Sequence, residues 1–225
     1  MAGSSPLTAL QQALLAAVGS VDGAYLTGGS CLAHVYLHHR RSLNLDYFVA
    51  EAQQIGEVAE RVLLVCESNG WQHQAIRTYP GFRRIEVHAA QESTLVDIAH
   101  DAVLQLVPIA QKPVVDGGVR VDALRDLIAN KLTALLGRGD VKDLLDLCVL
   151  ARRGHRLLDS LADAQSKDAG LDPATLAWVL QSVPTDPGRL DLLEPVTSTD
   201  LRHFRDAFVK ELVEFALPDS SPPKP

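Results

Sequence analysis

Cysteine is scarce in this 225-residue chain: Cys31, Cys66 and Cys148 lie far apart, their number is odd, and none stands in a CxxC pair. A disulfide frame and a thiolate zinc site are both unexpected, which leaves reduced, buried thiols in a cytoplasmic protein. Long apolar runs are missing too. Ala13 to Val18 is too short to span a bilayer and follows Gln11-Gln12, and the opening Met-Ala-Gly-Ser-Ser-Pro has no basic segment ahead of an apolar core. Neither a membrane span nor a leader is expected. Positive charge is in deficit, with 21 Lys and Arg against 28 Asp and Glu for a net −7. Broad electrostatic adhesion to nucleic acid is therefore disfavoured, although a local basic patch such as His38-His39-Arg40-Arg41 remains open. No HExxH-like spacing marks metal-binding histidines, so His34, His73, His88, His100, His155 and His203 read as structural.

What is present is the composition of a soluble globular protein, 47% apolar and 22% charged, and the chain is long enough to bury a substantial core. Leu7, Leu10, Leu14 and Val18 recur at helical spacing in the stretch Pro6 to Val21. A short strand is predicted from Ala24 to Thr27, then a helix from Ser30 to Leu37 opened by a glycine pair. Leu43 to Val49 alternates as strands do, which puts Asn44, Asp46 and Phe48 on one face. Glu51 to Ser68 reads as a helix with Ile55, Val58, Val62 and Val65 inward, closed by Asn69-Gly70. Strands follow at Trp71 to Tyr79, Phe82 to Ala89 and Thr94 to Ala99, with a turn at Pro80-Gly81, and a small hairpin is expected around Asp116-Gly117-Gly118.

After Asp122 the texture changes. Strand signals nearly vanish, and leucine-rich helical patterns run to Leu217 with breaks at Gly154, Gly170 and Pro184 to Pro187. The expected domains are thus 1–121, α/β in character, and 122–217, helical, each of ordinary domain size, with a disordered Ser/Pro-rich tail at 218–225.

The residues with the clearest chemistry are Gly28, Gly29 and Ser30 and, after thirteen more, Asn44-Leu45-Asp46. A Gly-Gly-Ser turn lets backbone N–H groups approach an anion, and a helix beginning there adds its positive end. A carboxylate on a neighbouring strand can then hold Mg²⁺ against the same phosphates. Taken alone, the turn reads first as an ordinary strand-to-helix connection, and Asp46 as an ordinary strand acid facing solvent. Leu43, Leu45, Tyr47 and Phe48 around Asp46 weigh against the second alternative, because an acid in a run destined for burial needs partners.

Leu26-Thr-Gly-Gly-Ser-Cys-Leu-Ala33 and His39-Arg-Arg-Ser-Leu-Asn44-Leu-Asp46-Tyr-Phe48 together resemble the AbiEii/AbiGii toxin family of the polymerase-β-like nucleotidyltransferase superfamily. The family's second block reads approximately His-Arg-x-Ser-x-Asp-x-Asp-x-Phe. A third block, Asp126 to Arg138 with Lys142-Asp143-Leu-Leu-Asp146-Leu147, resembles it in the same order, so the likeness covers about residues 25 to 150. The fold implied is α+β: a polymerase-β-like nucleotidyltransferase domain with a mixed sheet, followed by a helical C-terminal domain. The activity implied is transfer of NMP from an NTP to an RNA (such as tRNA) or protein acceptor. It would depend on Mg²⁺ or Mn²⁺ and serve in a toxin–antitoxin system with an antitoxin partner.

The resemblance also implies site roles. Gly28, Gly29 and Ser30 would contact the β- and γ-phosphates, and Asp46 would share one or two metal ions. A third carboxylate from a later strand is expected, with Asp97 the natural candidate as metal ligand and base, and Glu86 and Asp101 its rivals. Lys131 and Arg138, two helical turns apart on one face, would reach the triphosphate, with Asp143 in the same motif group; the alternative is a solvated face of ion pairs, with Asp143 a cap. Arg40 and Ser42 would contact phosphate or orient Asp46, or else form a surface turn, while His38, His39 and Arg41 are expected at the rim. Asn44 departs from the family pattern: an amide oxygen ligates metal without charge, leaving two carboxylates instead of three. Turnover with altered metal use, nucleotide or partner binding without turnover, and a structural adaptor with a relic cleft are the readings that follow.

Overall fold

The computed structural model describes residues 6–19 and 21–217; the tail expected at 218–225 lies outside the described residues. The chain divides into two compact units, Met1–Leu127 with Asp191–Glu194, and Ile128–Leu190 with Pro195–Pro225.

In the first unit, helix α1 (Ala9–Val18) opens on a capping box. The Thr8 hydroxyl accepts from Gln11 N–H and the Gln11 side chain accepts from Thr8 N–H, both at 3.2 Å. Strand β1 (Ala24–Thr27) turns directly into α2 (Gly28–Cys31), which widens into a π-helical turn over Leu32–Leu37. His38 ends that turn in the left-handed region at φ 51°. The helix predicted from Ser30 therefore begins two residues earlier, on the glycines themselves. Strand β2 (Asn44–Val49) and helix α3 (Gln54–Asn69) follow, the latter closed by Gly70 at φ 66°. Cys66, not Val65, completes the buried stripe of α3, because Cys66 lies four residues after Val62 and Val65 stays half-buried.

Strands β3 (Gln72–Tyr79), β4 (Phe82–His88) and β5 (Ser93–His100) complete a five-stranded sheet in the order β1-β2-β5-β4-β3. Only β2 and β5 are parallel, so the sheet is mixed. Its two faces differ sharply. Leu45, Tyr47 and Val49 of β2, Ile85 and Val87 of β4, and Val96 and Ile98 of β5 are buried, and α1 and α3 pack on the sheet. The alternate residues are only half-buried, as period-two alternation requires when one face is covered and the other open. The expected hairpin is β6 (Val114–Val115) paired with β7 (Val119–Arg120), its turn made by Gly117 and Gly118 at positive φ.

Helix α4 (Leu124–Arg138) contains the division between the units. The second unit continues with α5 (Val141–Arg152), α6 (Leu161–Lys167), α7 (Pro173–Leu180) and α8 (Ser198–Ala216). Gly154, Gly170 and Pro184 to Pro187 fall between these helices, as the breaks in pattern predict. The helix starts carry side-chain caps: Asp140 accepts from Lys142 N–H, Asp172 from Ala174 and Thr175 N–H ahead of Pro173, and Thr197 from Asp200 N–H. Leu132, Leu135, Leu144, Leu147, Leu150, Leu176, Leu180, Leu201 and Leu212 form the unit's core. The three thiols are free and buried, as expected.

Candidate active site

The first unit brings the glycine turn against the acidic strand. Gly28 takes φ +65°, a conformation costly for any residue with a side chain, and a Cβ there would lie 3.0 Å from Asp46 Oδ2. Only glycine satisfies both conditions. Ser30 is fully buried and ties the turn to the strand. Its Oγ lies 2.9 Å from the Thr27 carbonyl and 3.2 Å from Asp46 Oδ2, the two acceptors within reach of its proton, and accepts from Asp46 N–H at 3.1 Å. The hydroxyl thus positions Asp46 and faces the protein.

Thr27 sits where a capping side chain would serve α2, yet it makes no such bond. Its hydroxyl instead donates to Asp122 Oδ2 at 2.7 Å. The first-turn N–H groups of Gly28 and Gly29 are thereby left without a side-chain cap, and unclaimed donors at a helix start favour an anion. What draws Thr27 away is a buried group that sequence reasoning missed. Lys112 Nζ is 2.5 Å from Asp122 and 3.5 Å from Asp126, and stands over the Tyr25 ring at 4.7 Å. Asp126 also accepts from the N–H groups of Leu106 and Val107, and Tyr25 donates to Asp101 at 2.6 Å. Burial pushes the Asp122 carboxyl above its usual range against the pull of Lys112, and burial followed by Asp101 raises the Tyr25 hydroxyl. Asp101, a rival for the third acid, is occupied here.

Asp46 and Asp97 are direct register partners on the parallel strands β2 and β5, and Asn44 lies two residues before Asp46 on the same open face. Asp97 also has a partner that no sequence pattern announced: Arg84 of β4 grips it bidentately, Nε to Oδ1 and Nη2 to Oδ2, each at 2.6 Å. The guanidinium is held in its charged form first by this hydrogen bond. Among the described residues no group of three His, Cys, Asp or Glu side chains converges to hold a metal ion. Asp46 and Asp97, with the Asn44 amide, are the residues suited to a hard cation, which commonly takes one or two carboxylates and fills its shell from phosphates and water.

Other sequence candidates are placed differently. His39 is buried, not at the rim, and Arg40 is buried beside it, because this stretch threads into the first unit: the His39 carbonyl accepts from Leu193 and Glu194 N–H, and Arg40 bridges to Leu192. Arg41 pairs with Asp191 at 3.0 Å, and His38 alone of the four is well exposed. Ser42 donates to the Asn44 carbonyl at 3.2 Å, which braces the start of β2. Glu86 stands 3.4 Å from His88, away from Asp46 in the register.

Lys131, Arg138 and Asp143 form a cluster in the second unit. Lys131 Nζ lies 2.8 Å from Asp143 and 2.5 Å from Asp146, whose side chains are fully buried, and Arg138 grips Asp143 at 2.7 and 2.9 Å. Burial opposes the charge on Asp143, but Arg138 and Lys131 outweigh it and hold the carboxyl below its usual range. Asp146, three residues after Asp143 on one helix face, was legible as a neighbour; its pairing with Lys131 was not. Lys131 is nearly buried while the Arg138 side chain is half exposed.

A Gly-Gly turn thus opens a helix beside a mixed sheet, with acids side by side on adjacent parallel strands. Two solved structures share the fold. JHP933 from Helicobacter pylori is 19% identical, with a TM-score of 0.57, 92% of this chain and 92% of that one being covered. MenT4, a nucleotidyltransferase toxin from Mycobacterium tuberculosis, is 19% identical, with a TM-score of 0.50, covering 93% of this chain and 82% of that one. No curated protein matches the chain at a significant level. The model of the nucleotidyl transferase AbiEii toxin family, of the type IV toxin–antitoxin systems, matches residues 9–220, and the chain belongs to that family. No helix among the described residues is long and apolar enough to cross a membrane.

Proposed function

We propose that this chain transfers NMP from an NTP to an acceptor hydroxyl, on RNA such as a tRNA 3′ end or on a protein side chain, and acts as the cytoplasmic toxin of a toxin–antitoxin pair. The observation that carries the reading is the Gly28 turn pressed against Asp46, with its helix start left uncapped by Thr27. In this reading the N–H groups of Gly28 and Gly29 bind the phosphates, and Ser30 fixes the Asp46 carboxylate beside them. Asp46 and Asp97, with the Asn44 amide, would hold Mg²⁺ or Mn²⁺, which when bound neutralises phosphate charge and polarises the reacting oxygens. Arg84 orients Asp97, and Asp97 takes the proton of the acceptor hydroxyl once that grip loosens. Pyrophosphate leaves as the acceptor oxygen bonds to the α-phosphorus. Within the second unit, Asp143 and Asp146 hold Lys131, and Asp143 holds Arg138.

The second reading, nucleotide or partner binding without turnover, is favoured by Asn44 in place of an acid and by Arg84 on Asp97. One experiment separates the two. The protein is incubated with each labelled NTP, Mg²⁺ or Mn²⁺ and total RNA or protein, alongside Asp46→Ala, while thermal shift with the same NTPs is recorded. Label transfer lost in Asp46→Ala supports transfer. Stabilisation by NTP without label, persisting in Asn44→Asp, supports binding alone, and neither signal overturns both readings.

A further inference from the structure

Strand register lines up residues that the sequence scatters. Thr27, Asp46, Asp97, Arg84 and Arg77 are successive partners across β1, β2, β5, β4 and β3 and share one face of the sheet, which is covered at β1 and open from β2 outward. Two residues along each strand, on the same face, runs a second row: Tyr25, Phe48, Ala99, Phe82 and Tyr79. The first row changes from acid to base at the β5–β4 boundary. The second is aromatic at four of its five positions.

A β-bulge puts the outer ends of both rows on this face. Ala75 opposes Ile85 but Arg77 opposes Arg84, so Ile76 is an extra residue. Without it Arg77 and Tyr79 would point to the opposite side. The whole of β3 is exposed, and Tyr79 retains 62% of its accessible surface. Arg84 lies 5.9 Å from the Phe82 ring centroid, and Arg77 makes no ion pair among the described residues. A sheet face with aromatic rings beside guanidiniums suits unstacked bases joined by phosphates.

We infer that the β4–β3 half of this face, through Arg77, Tyr79, Phe82 and Arg84, docks a single-stranded nucleic-acid end and leads its terminal hydroxyl toward Asp46 and Asp97. The inference rests on the nucleotidyltransferase reading for the destination of that hydroxyl; the docking surface stands on the register. Because the chain is acidic overall and Arg84 is held by Asp97, affinity comes chiefly from stacking, and one phosphate contact from Arg77 gives a shallow salt dependence, a log–log slope of about −0.7.

The test uses the intact chain and a 5′-fluorescein single-stranded RNA 10-mer with a free 3′ hydroxyl, read by fluorescence anisotropy over a salt series. Tyr79→Ala is expected to weaken binding about fivefold or more, and Arg77→Gln to reduce the salt slope by about 0.7. Both positions are exposed, so unchanged melting temperatures should confirm folding. Wild-type affinity in both variants, equal binding of a blunt RNA duplex, or transfer of label to protein with no single-strand binding would each overturn the surface. NTP-induced stabilisation is measured on the same samples. If it is absent while the RNA result holds, the nucleotidyltransferase reading fails and the docking surface survives; if it is present while the RNA result fails, the reverse follows.

Discussion

Replacing Lys131 by Met asks whether its ammonium group is first a structural counter-charge or a ligand for nucleotide. Lys131 Nζ stands 2.8 Å from Asp143 and 2.5 Å from Asp146, two carboxylates with no exposed side-chain surface. Met conserves much of the stem but removes the charge. Asp143 keeps Arg138, whereas Asp146 loses its 2.5 Å cation. Removing one partner from a buried pair costs about 3–5 kcal/mol, because the other charge stays desolvated. For a chain of this size each kcal/mol moves the melting temperature about 2–4 °C, so a drop of about 6–20 °C is expected at pH 7.5.

Circular-dichroism melts of wild type, Lys131→Met, Asp146→Asn and the double variant measure this directly. The double variant should recover part of the loss, since the buried carboxylate charge is removed together with its cation. A variant melting within about 2 °C of wild type while losing its NTP response would refute the structural role and leave Lys131 as a nucleotide ligand.

Gly28→Ala forces a side chain into φ +65° and against Asp46 Oδ2, so a loss of about 1–2 kcal/mol in stability is expected together with loss of the NTP-induced thermal shift; an undiminished shift would count against the cradle. Asn44→Asp restores a third carboxylate and should tighten Mn²⁺ binding severalfold by calorimetry; unchanged affinity would remove Asn44 from the metal set. His34 is pushed down to about 4 by burial and then by the neighbouring charges of Arg40 and His38. The unfolded chain therefore binds the extra proton between pH 6.5 and 4, and stability falls as pH drops through that window, by up to about 3 kcal/mol. His34→Leu should flatten that stretch of the denaturation profile, and an unchanged slope would show that His34 is not its source. Asp143, held below its usual range, contributes stability that is full above pH ~4 and lost at lower pH, so Asp143→Asn should lose the acid-limb dependence below pH 4.

Much of the architecture was legible because it is written locally. The alternation of Leu45, Tyr47 and Val49 with Asn44, Asp46 and Phe48 specifies both a strand and its two faces. Gly70, Pro80-Gly81 and Gly117-Gly118 end or turn elements where left-handed backbone or a fixed φ is needed. His39 was misjudged as a rim residue because polarity suggests exposure, while its burial depends on a segment some 150 positions away, Asp191–Glu194. Ser30 was read as a phosphate contact, and only the closeness of β2 shows its hydroxyl turned inward to Asp46.

The sequence by itself determined the elements, the α+β class, the family motifs and the candidacy of Gly28, Asp46 and Asp97, all of which depend on local periodicity, turn chemistry or spacing along the chain. The tertiary structure alone decided what each charge meets. Arg84 on Asp97, Asp122 taking the Thr27 hydroxyl, Asp146 against Lys131, and the line from Asp46 to Arg77 all join residues whose separation in sequence carries no distance. Strand order and register set the Arg84–Asp97 pair and the line from Asp46 to Arg77, while Lys131 and Asp146 meet between two helices. A shift of one residue in pairing would turn every one of these strand side chains to the other face.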